Sequence, residues 1–141
     1  MKKIKLLILI TLVISVTSCS LFKKLSAPHY NAVTYQLAVT ADSTMNALYS
    51  GFANGSDLSY ANNSSVYTDV EYYINQKIGI DSTRKYPTQI LALDRTYLEV
   101  VETSRQDHQS DGNISNNHVN VNGALLKQMG NILVNTEKTY K

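Results

Sequence analysis

Apolar residues recur at steps of three and four positions in four stretches of this chain, each about 20 residues long. An α-helix completes a turn in about 3.6 residues, so this spacing lines the apolar side chains along one helix face. The first stretch is residues 30–52, and the second starts at Ser59 or Ser65 and ends near Ile78. The third runs from near Pro87 to about residue 110, and the fourth covers roughly residues 119–140. The sequence therefore predicts four amphipathic helices.

The apolar stripes give a predicted core. They comprise Tyr30, Val33, Leu37, Ala41, Met45, Leu48 and Phe52 in the first stretch; Val66, Val70, Tyr73 or Ile74, and Ile78 in the second; Ile90, Leu93, Tyr97, Val101 and Ser104 in the third; and Val121, Leu125, Met129, Ile132 and Thr136, with Leu126 and Leu133 beside them, in the fourth. Residues 117–123 alternate and end in Asn-Gly, which could form one arm of a β-hairpin. Because no second strand-like run follows Gly123, we expect a loop that enters the last helix.

Helices of this length, joined by connections of about 6 to 12 residues, predict an all-α fold, a small antiparallel four-helix bundle. The chain contains 13 Asn, 14 Ser and 12 Thr. Their short polar side chains compete with the helix for backbone hydrogen bonds. We therefore expect these helices to depend on burial of their stripes rather than on intrinsic propensity.

The first residues have the pattern of an export signal. Lys2, Lys3 and Lys5 precede the apolar run 6–16, which is too short to span the roughly 30 Å of a bilayer's hydrocarbon core. The sequence Val16-Thr17-Ser18-Cys19 follows and resembles the lipobox of bacterial lipoproteins. In that family the cysteine is acylated and the chain is cut before it. The resemblance implies a signal peptide over residues 1–18, an acylated tether over 19–29 and a helical bundle domain over 30–141.

The same resemblance implies a location in the cell. Ser20 rather than Asp follows Cys19, which favours the outer membrane, and residues 21–24 lack the acidic cluster that exports some lipoproteins to the cell surface. We therefore expect a lipid-anchored protein on the periplasmic face of the outer membrane. Two or three acyl chains would make that attachment stable.

The charge balance argues against a nucleic-acid partner. The chain has 13 Lys and Arg against 11 Asp and Glu, a net charge of +2, but three of its basic residues precede the apolar run. The retained chain is close to neutral and its basic residues are spread out, whereas nucleic-acid binding needs clustered Lys and Arg.

Cys19 is the only cysteine, so the mature domain has no intrachain disulfide and must be held by packing.

The residue patterns predict no catalytic, metal or cofactor site, and we expect a protein that is not an enzyme. Glu99 and Glu102 lack a histidine three positions on, and His29, His108 and His118 have no metal-ligand spacing. Nucleophile and phosphate-loop motifs are absent from the sequence. The acids are expected on solvated helix faces, in the pairs Arg95 with Glu99, Glu102 with Arg105, and Asp81 with Lys85.

Tyrosine is unusually frequent, with ten residues and no Trp. Tyr30, Tyr73 and Tyr97 lie on the stripes and are expected in the core. Four that lie off the stripes or at their margins are candidate interface residues: Tyr35, Tyr49, Tyr67 and Tyr72. The alternative is that tyrosine simply takes the place of Leu and Phe in this composition.

Two short segments resemble the acceptor of periplasmic O-glycosylation, an Asp followed by Ser or Thr and a residue with a methyl group. They are Asp42-Ser43-Thr44, within the first predicted helix, and Asp81-Ser82-Thr83, in a predicted loop. Ser82 is the more accessible candidate, and Ser43 the weaker one.

These observations favour a non-enzymatic protein-binding accessory or assembly factor that has a membrane anchor and a protein partner. One alternative is an immunity or exclusion lipoprotein that neutralises a periplasmic toxin. Another is a bundle that binds a small ligand or glycan in a cavity lined by Tyr73, Tyr97, Met45 and Met129.

Overall fold

The four predicted helices are present in the computed structural model, which describes residues 29–85 and 87–140. They are α1 (Ala32–Ala53), α2 (Tyr60–Asp81), α3 (Thr88–Asp111) and α4 (Asn116–Thr139). No strand occurs in the described ranges, where the only ladder pairing is an isolated bridge between Ser59 and Asn113. The lipobox and Cys19 lie outside the described residues.

The helices pack in a ring. The backbones of α1 and α3 each lie close to those of α2 and α4, while the diagonal pairs, α1 with α3 and α2 with α4, meet only through side chains. Short connections between consecutive helices make each neighbour antiparallel to the next. The prediction of an all-α four-helix bundle is therefore confirmed. Across residues 29–85 and 87–140, no helix has a segment long and apolar enough to cross a membrane.

The helix ends decide the alternatives that the sequence left open. Helix α2 starts directly after Ser59 rather than Ser65. It continues through Gly79 to Asp81, slightly beyond the predicted end. Residues 117–123 belong to α4, so both the expected loop and the hairpin alternative are wrong for this segment. Helix α1 is capped by Asn31, whose side-chain oxygen accepts from the backbone N–H of Val33 at 2.8 Å.

The buried positions follow a stricter spacing than the apolar stripes. Steps of three and four alternate almost throughout, as in coiled-coil packing: Thr34, Ala38, Ala41, Met45, Leu48 and Phe52 in α1; Tyr67, Val70, Ile74, Lys77 and Asp81 in α2; Ile90, Asp94, Tyr97, Val101, Ser104 and His108 in α3; and Val119, Leu126, Gly130, Leu133 and Glu137 in α4. Polar residues hold several of these core positions.

Two parts of the predicted core are corrected by this spacing. In α4 the predicted Leu126, Met129 and Leu133 are buried, but Leu125, Ile132 and Thr136 each lie one residue before a buried position and are only partly buried, and Val121 is 49% exposed. In the first turn of α1, Thr34 is buried and Val33 is 57% exposed. A search for apolar residues alone misses Thr34, Gly130 and Glu137, and so selects the neighbouring row.

The two ends of the bundle differ. We call the end where α1 and α3 begin and α2 and α4 finish the tether end, because the 19–29 segment leads into it. At the opposite, distal end the α1–α2 and α3–α4 loops are joined. The backbone N–H of Tyr60 donates to the Gly112 carbonyl at 2.8 Å, and that of Ile114 donates to the Leu58 carbonyl at 3.1 Å.

Candidate functional site

Five ionisable side chains form a buried cluster at the tether end. At its centre is the Lys77 ammonium, whose Nζ lies 2.5 Å from Asp81 Oδ2, 2.6 Å from Asp94 Oδ1 and 2.7 Å from Glu137 Oε1. All four of these side chains are fully buried. A buried ammonium needs such partners, because an unpaired charge in the interior is strongly unfavourable.

Arg84 is the fifth member of this charge cluster and closes it from the loop after α2. Its Nε lies 2.6 Å from Asp81 Oδ1, and its terminal Nη2 lies 3.1 Å from Glu137 Oε2. The same Nη2 donates to the hydroxyl of Thr34 on α1. All four helices are therefore joined at one end through charged and polar groups.

The heptad-like spacing of each helix places these residues. Lys77 and Asp81 continue the row of Val70 and Ile74 on α2. Asp94 lies one turn after Ile90, and Glu137 one turn after Leu133. The prediction that the acids occupy solvated faces is therefore wrong for Asp81, Asp94 and Glu137. Extending the rows of three and four steps without regard to polarity would have found them.

The electrostatics of the cluster keep Lys77 charged. Burial lowers the pKa of Lys77, but the negative charges of Asp94, Glu137 and Asp81 outweigh it, and the net pKa lies above its ordinary value. Lys77 therefore remains an ammonium at neutral pH, and an ammonium cannot act as an amine nucleophile or general base.

The acids outnumber the bases in the cluster by three to two. Burial raises the pKa of Asp94 to about 7, opposed by the charge of Lys77 and assisted by that of Asp81. A proton on Asp94 brings the cluster to neutrality. A neutral buried cluster avoids the cost of an uncompensated charge.

The ammonium takes the position that a cation has in carboxylate-rich bundles, where acidic side chains on facing helices hold metal ions. Within the described parts of the chain, no group of three or more His, Cys, Asp and Glu residues is arranged to hold a metal ion. The carboxylates here are engaged by Lys77 and Arg84 instead.

A second polar network lies at the distal end, around the fully buried His108. Its Nε2 lies 2.7 Å from the Leu58 carbonyl, which can only accept, so Nε2 carries a hydrogen and donates it. The Tyr67 hydroxyl is hydrogen-bonded to Nδ1 at 3.1 Å and to the Tyr49 hydroxyl at 3.4 Å. Burial raises the pKa of Tyr67, so its phenol keeps its proton.

This network corrects two of the candidate interface residues. Tyr49 is 5% exposed and Tyr67 is 0% exposed. Their buried hydroxyls are satisfied by the hydrogen-bond chain to His108. Neither presents a surface to a partner. Here tyrosine takes core positions, as in the alternative reading of the composition.

The other two candidates have different surroundings. Tyr72 is 60% exposed on α2, and its ring centroid lies 6.1 Å from that of Tyr73. Tyr35 is half-buried at the tether end, with its ring centroid 6.2 Å from that of Tyr30. Tyr72 is therefore the candidate that offers the larger free aromatic surface.

Both candidate glycosylation residues are exposed. Ser82 directly follows α2, and its hydroxyl donates to the Gly79 carbonyl at 2.7 Å. Ser43 lies on the outer face of α1 and donates to the Thr40 carbonyl at 3.1 Å. The Asp81 that precedes Ser82 is held inside the charge cluster.

The residues considered for a ligand cavity belong to the packed core. Met45, Tyr97 and Met129 are buried, and Tyr73 packs against the same core cluster. A shallow open groove between α1 and α2 is lined by Ser43, Thr44, Ala47, Leu48 and Val66. None of the four predicted cavity residues lines that groove.

Comparison with known proteins gives no family for this chain. Neither a protein-family model, nor a curated protein, nor a solved structure matches it. Its function has to be inferred from its own residues.

Proposed function

We propose that this protein is a lipoprotein held by acylated Cys19 at the periplasmic face of the outer membrane, where it binds a protein partner without catalysing a reaction. The observation that carries the proposal is Val16-Thr17-Ser18-Cys19 directly after a short basic and apolar leader. Cys19 is the only cysteine of the chain, which leaves the thiol available for acylation.

The two buried polar networks support a binding role over a catalytic one. Lys77 is surrounded by three carboxylates, and both ring nitrogens of His108 are hydrogen-bonded within the protein. Both side chains are fully buried. Groups of this type act in catalysis when they can reach a substrate, and here they hold helices and loops together.

Tyr72 supports a protein partner. An exposed aromatic ring beside a second tyrosine offers a large apolar area with a hydrogen-bonding tip, which is typical of residues that dominate protein interfaces. We place the centre of the partner surface on the outer face of α2, at Tyr72.

Membrane fractionation tests the anchor. The Cys19→Ser chain should leave the membrane pellet after high-salt washing or accumulate as an uncleaved precursor, whereas Ser20→Ala, which keeps the thiol, should remain processed and membrane-bound. Equal membrane retention and equal processing of Cys19→Ser and the parent chain would overturn the anchor.

Crosslinking in membranes, followed by purification, tests the partner. We expect one protein to be recovered in stoichiometric amount with the parent chain and to be lost with Tyr72→Ala. Val121→Ala is the matched control, since Val121 is also an exposed apolar residue but lies on α4. Recovery of the chain alone, or equal recovery of a partner with both variants, would contradict a partner surface at Tyr72.

A further inference from the structure

At the tether end the acidic side chains are buried, whereas the exposed charged side chains are basic. The acids of residues 29–40, 75–95 and 130–140 are Asp81, Asp94 and Glu137, and all three are fully buried in the charge cluster. The exposed charged side chains described in these ranges are Lys85, Arg95 and Lys138, which are all basic. The surface of the tether end is therefore positive.

The rest of the bundle has the opposite surface. Ranges 41–74 and 96–129 contain two basic residues, Arg105 and Lys127, and Arg105 Nε lies 3.1 Å from Glu71 Oε1. They contain eight acids, each exposed or half-exposed: Asp42, Asp57, Asp69, Glu71, Glu99, Glu102, Asp107 and Asp111. A chain that is nearly neutral overall thus has a positive tether end and a negative distal end.

The positive end is also the end closest to the proposed anchor. Nine residues lie between Cys19 and His29, so the chain spans at most about 35 Å between them at full extension. That is close to the length of one helix of this bundle, about 33 Å for the 22 residues of α1. The same stretch of sequence contains Lys23 and Lys24, which add to the positive charge beside the anchor.

Aromatic side chains accompany the basic ones. Tyr30, Tyr35 and Tyr140 are half-buried at the tether end. Tyrosine is favoured at the boundary between lipid and water because its ring is apolar and its tip is polar. Basic residues with tyrosines on one end of a domain match the surface of an anionic bilayer.

We infer that the tether end is a docking surface for anionic phospholipid head groups, so that the bundle stands with its distal end away from the membrane. The inference rests on the proposed anchor, which holds this end near the lipid. The charge cluster contributes by removing three carboxylates from the surface that faces the head groups. The eight acids of the other ranges are repelled by the same head groups, which favours one orientation.

Single-tryptophan reporters test the orientation, because the chain contains no tryptophan. Tyr140→Trp places a reporter at the tether end, and Gln109→Trp places one at an exposed distal position. Each purified protein, cut before Cys19 and otherwise complete, is reconstituted in vesicles of brominated phosphatidylcholine with or without phosphatidylglycerol. Lipid-borne bromine quenches tryptophan only at short range.

We expect Tyr140→Trp to be quenched at least about twofold more in the anionic vesicles than in the zwitterionic ones, and the difference to disappear in high salt. Gln109→Trp should stay unquenched in both. Adding Lys85→Glu and Lys138→Glu to Tyr140→Trp should abolish the difference, whereas adding Lys127→Glu, at an exposed position on the distal part of α4, should preserve it.

Equal quenching of the two reporters, or quenching of Tyr140→Trp that is independent of phosphatidylglycerol, would overturn the docking surface while leaving the anchor intact. Failure of the parent chain to float with either kind of vesicle would instead overturn the anchor, and with it this inference.

Discussion

Lys77 shows how one side chain can determine the arrangement of a whole bundle end. Its three nitrogen–oxygen contacts of 2.5 to 2.7 Å reach carboxylates on α2, α3 and α4, and none of these side chains is exposed. The value of such a cluster lies in specificity, because any other register of the helices would leave charges buried without partners.

Removing the ammonium tests this role. Lys77→Met keeps the length of the side chain but leaves three buried carboxylates facing one guanidinium, so the free energy of unfolding should fall by about 3–5 kcal/mol. The exposed Lys127→Met serves as the control and should change it by less than about 0.5 kcal/mol. Urea denaturation measures both. Similar losses from the two variants would mean that the cluster is not a special determinant of stability.

Asp94 makes the stability depend on pH. Its folded pKa of about 7 lies above the ordinary value of 3.8, so between these values the folded chain binds more protons at this site than the unfolded chain. This site's contribution to stability is present at acidic pH and is lost as the pH rises through about 7, at up to about 1.4 kcal/mol per pH unit.

The comparison with Asp94→Asn isolates that contribution. Asparagine does not titrate, so the unfolding free energy of the variant should decline less between pH 5 and pH 8 than that of the parent chain. Urea denaturation at the two pH values provides the measurement. Parallel pH profiles for the two proteins would show that Asp94 does not hold the extra proton.

At the scale of the helices, α1 and α4 approach closely where α4 has Gly130. A Cβ atom at this position would lie 1.9 Å from Asp42 Oδ1 and 2.7 Å from its Cγ. Gly79 on α2 provides the contrast, because a Cβ there would meet nothing within 4 Å. Close packing against Asp42 therefore favours glycine at position 130, whereas no neighbouring atom requires glycine at position 79, although both residues lie inside helices.

Alanine substitutions separate the two cases. Gly79→Ala should raise the unfolding free energy by about 0.5–1 kcal/mol, since it adds helix propensity without a clash. Gly130→Ala should lower it by about 1–3 kcal/mol, because the methyl group overpacks the α1–α4 contact. Thermal unfolding followed by circular dichroism distinguishes these outcomes. A stabilising Gly130→Ala would show that the Asp42 side chain can move aside and give up its hydrogen bond from Asn46 without a net cost.

The helices themselves could be predicted, because apolar residues at three- and four-residue steps are a local signal. The orientation of α4 could not, since Leu125 and Ile132 form an apolar row as regular as the buried row of Leu126 and Leu133. Rows of three and four steps, extended without regard to polarity, mark Asp81, Asp94 and Glu137 as buried positions, but do not show that these acids meet in one cluster. Each of its acids is an ordinary helix residue until the packing of α2, α3 and α4 brings it to Lys77.

In the whole molecule, the hydrophobic core of the bundle lies between two buried polar networks, one at each end. The charge cluster joins the helices at the tether end, and His108 links α3 to the α1–α2 loop at the distal end. The net charge of +2 hides the separation of surface charge that this burial produces. With the proposed anchor at Cys19 and the inferred docking surface at the tether end, the domain would stand on a membrane and present Tyr72, on its side, to a partner.

The intact mass of the protein purified from membranes is the decisive test of the lipid anchor. We expect a chain that begins at Cys19, lacks residues 1–18 and carries the added mass of a diacylglyceryl group, with or without an amide-linked acyl chain. A chain that retains residues 1–18, or one cut at another position with an unmodified Cys19, would contradict it.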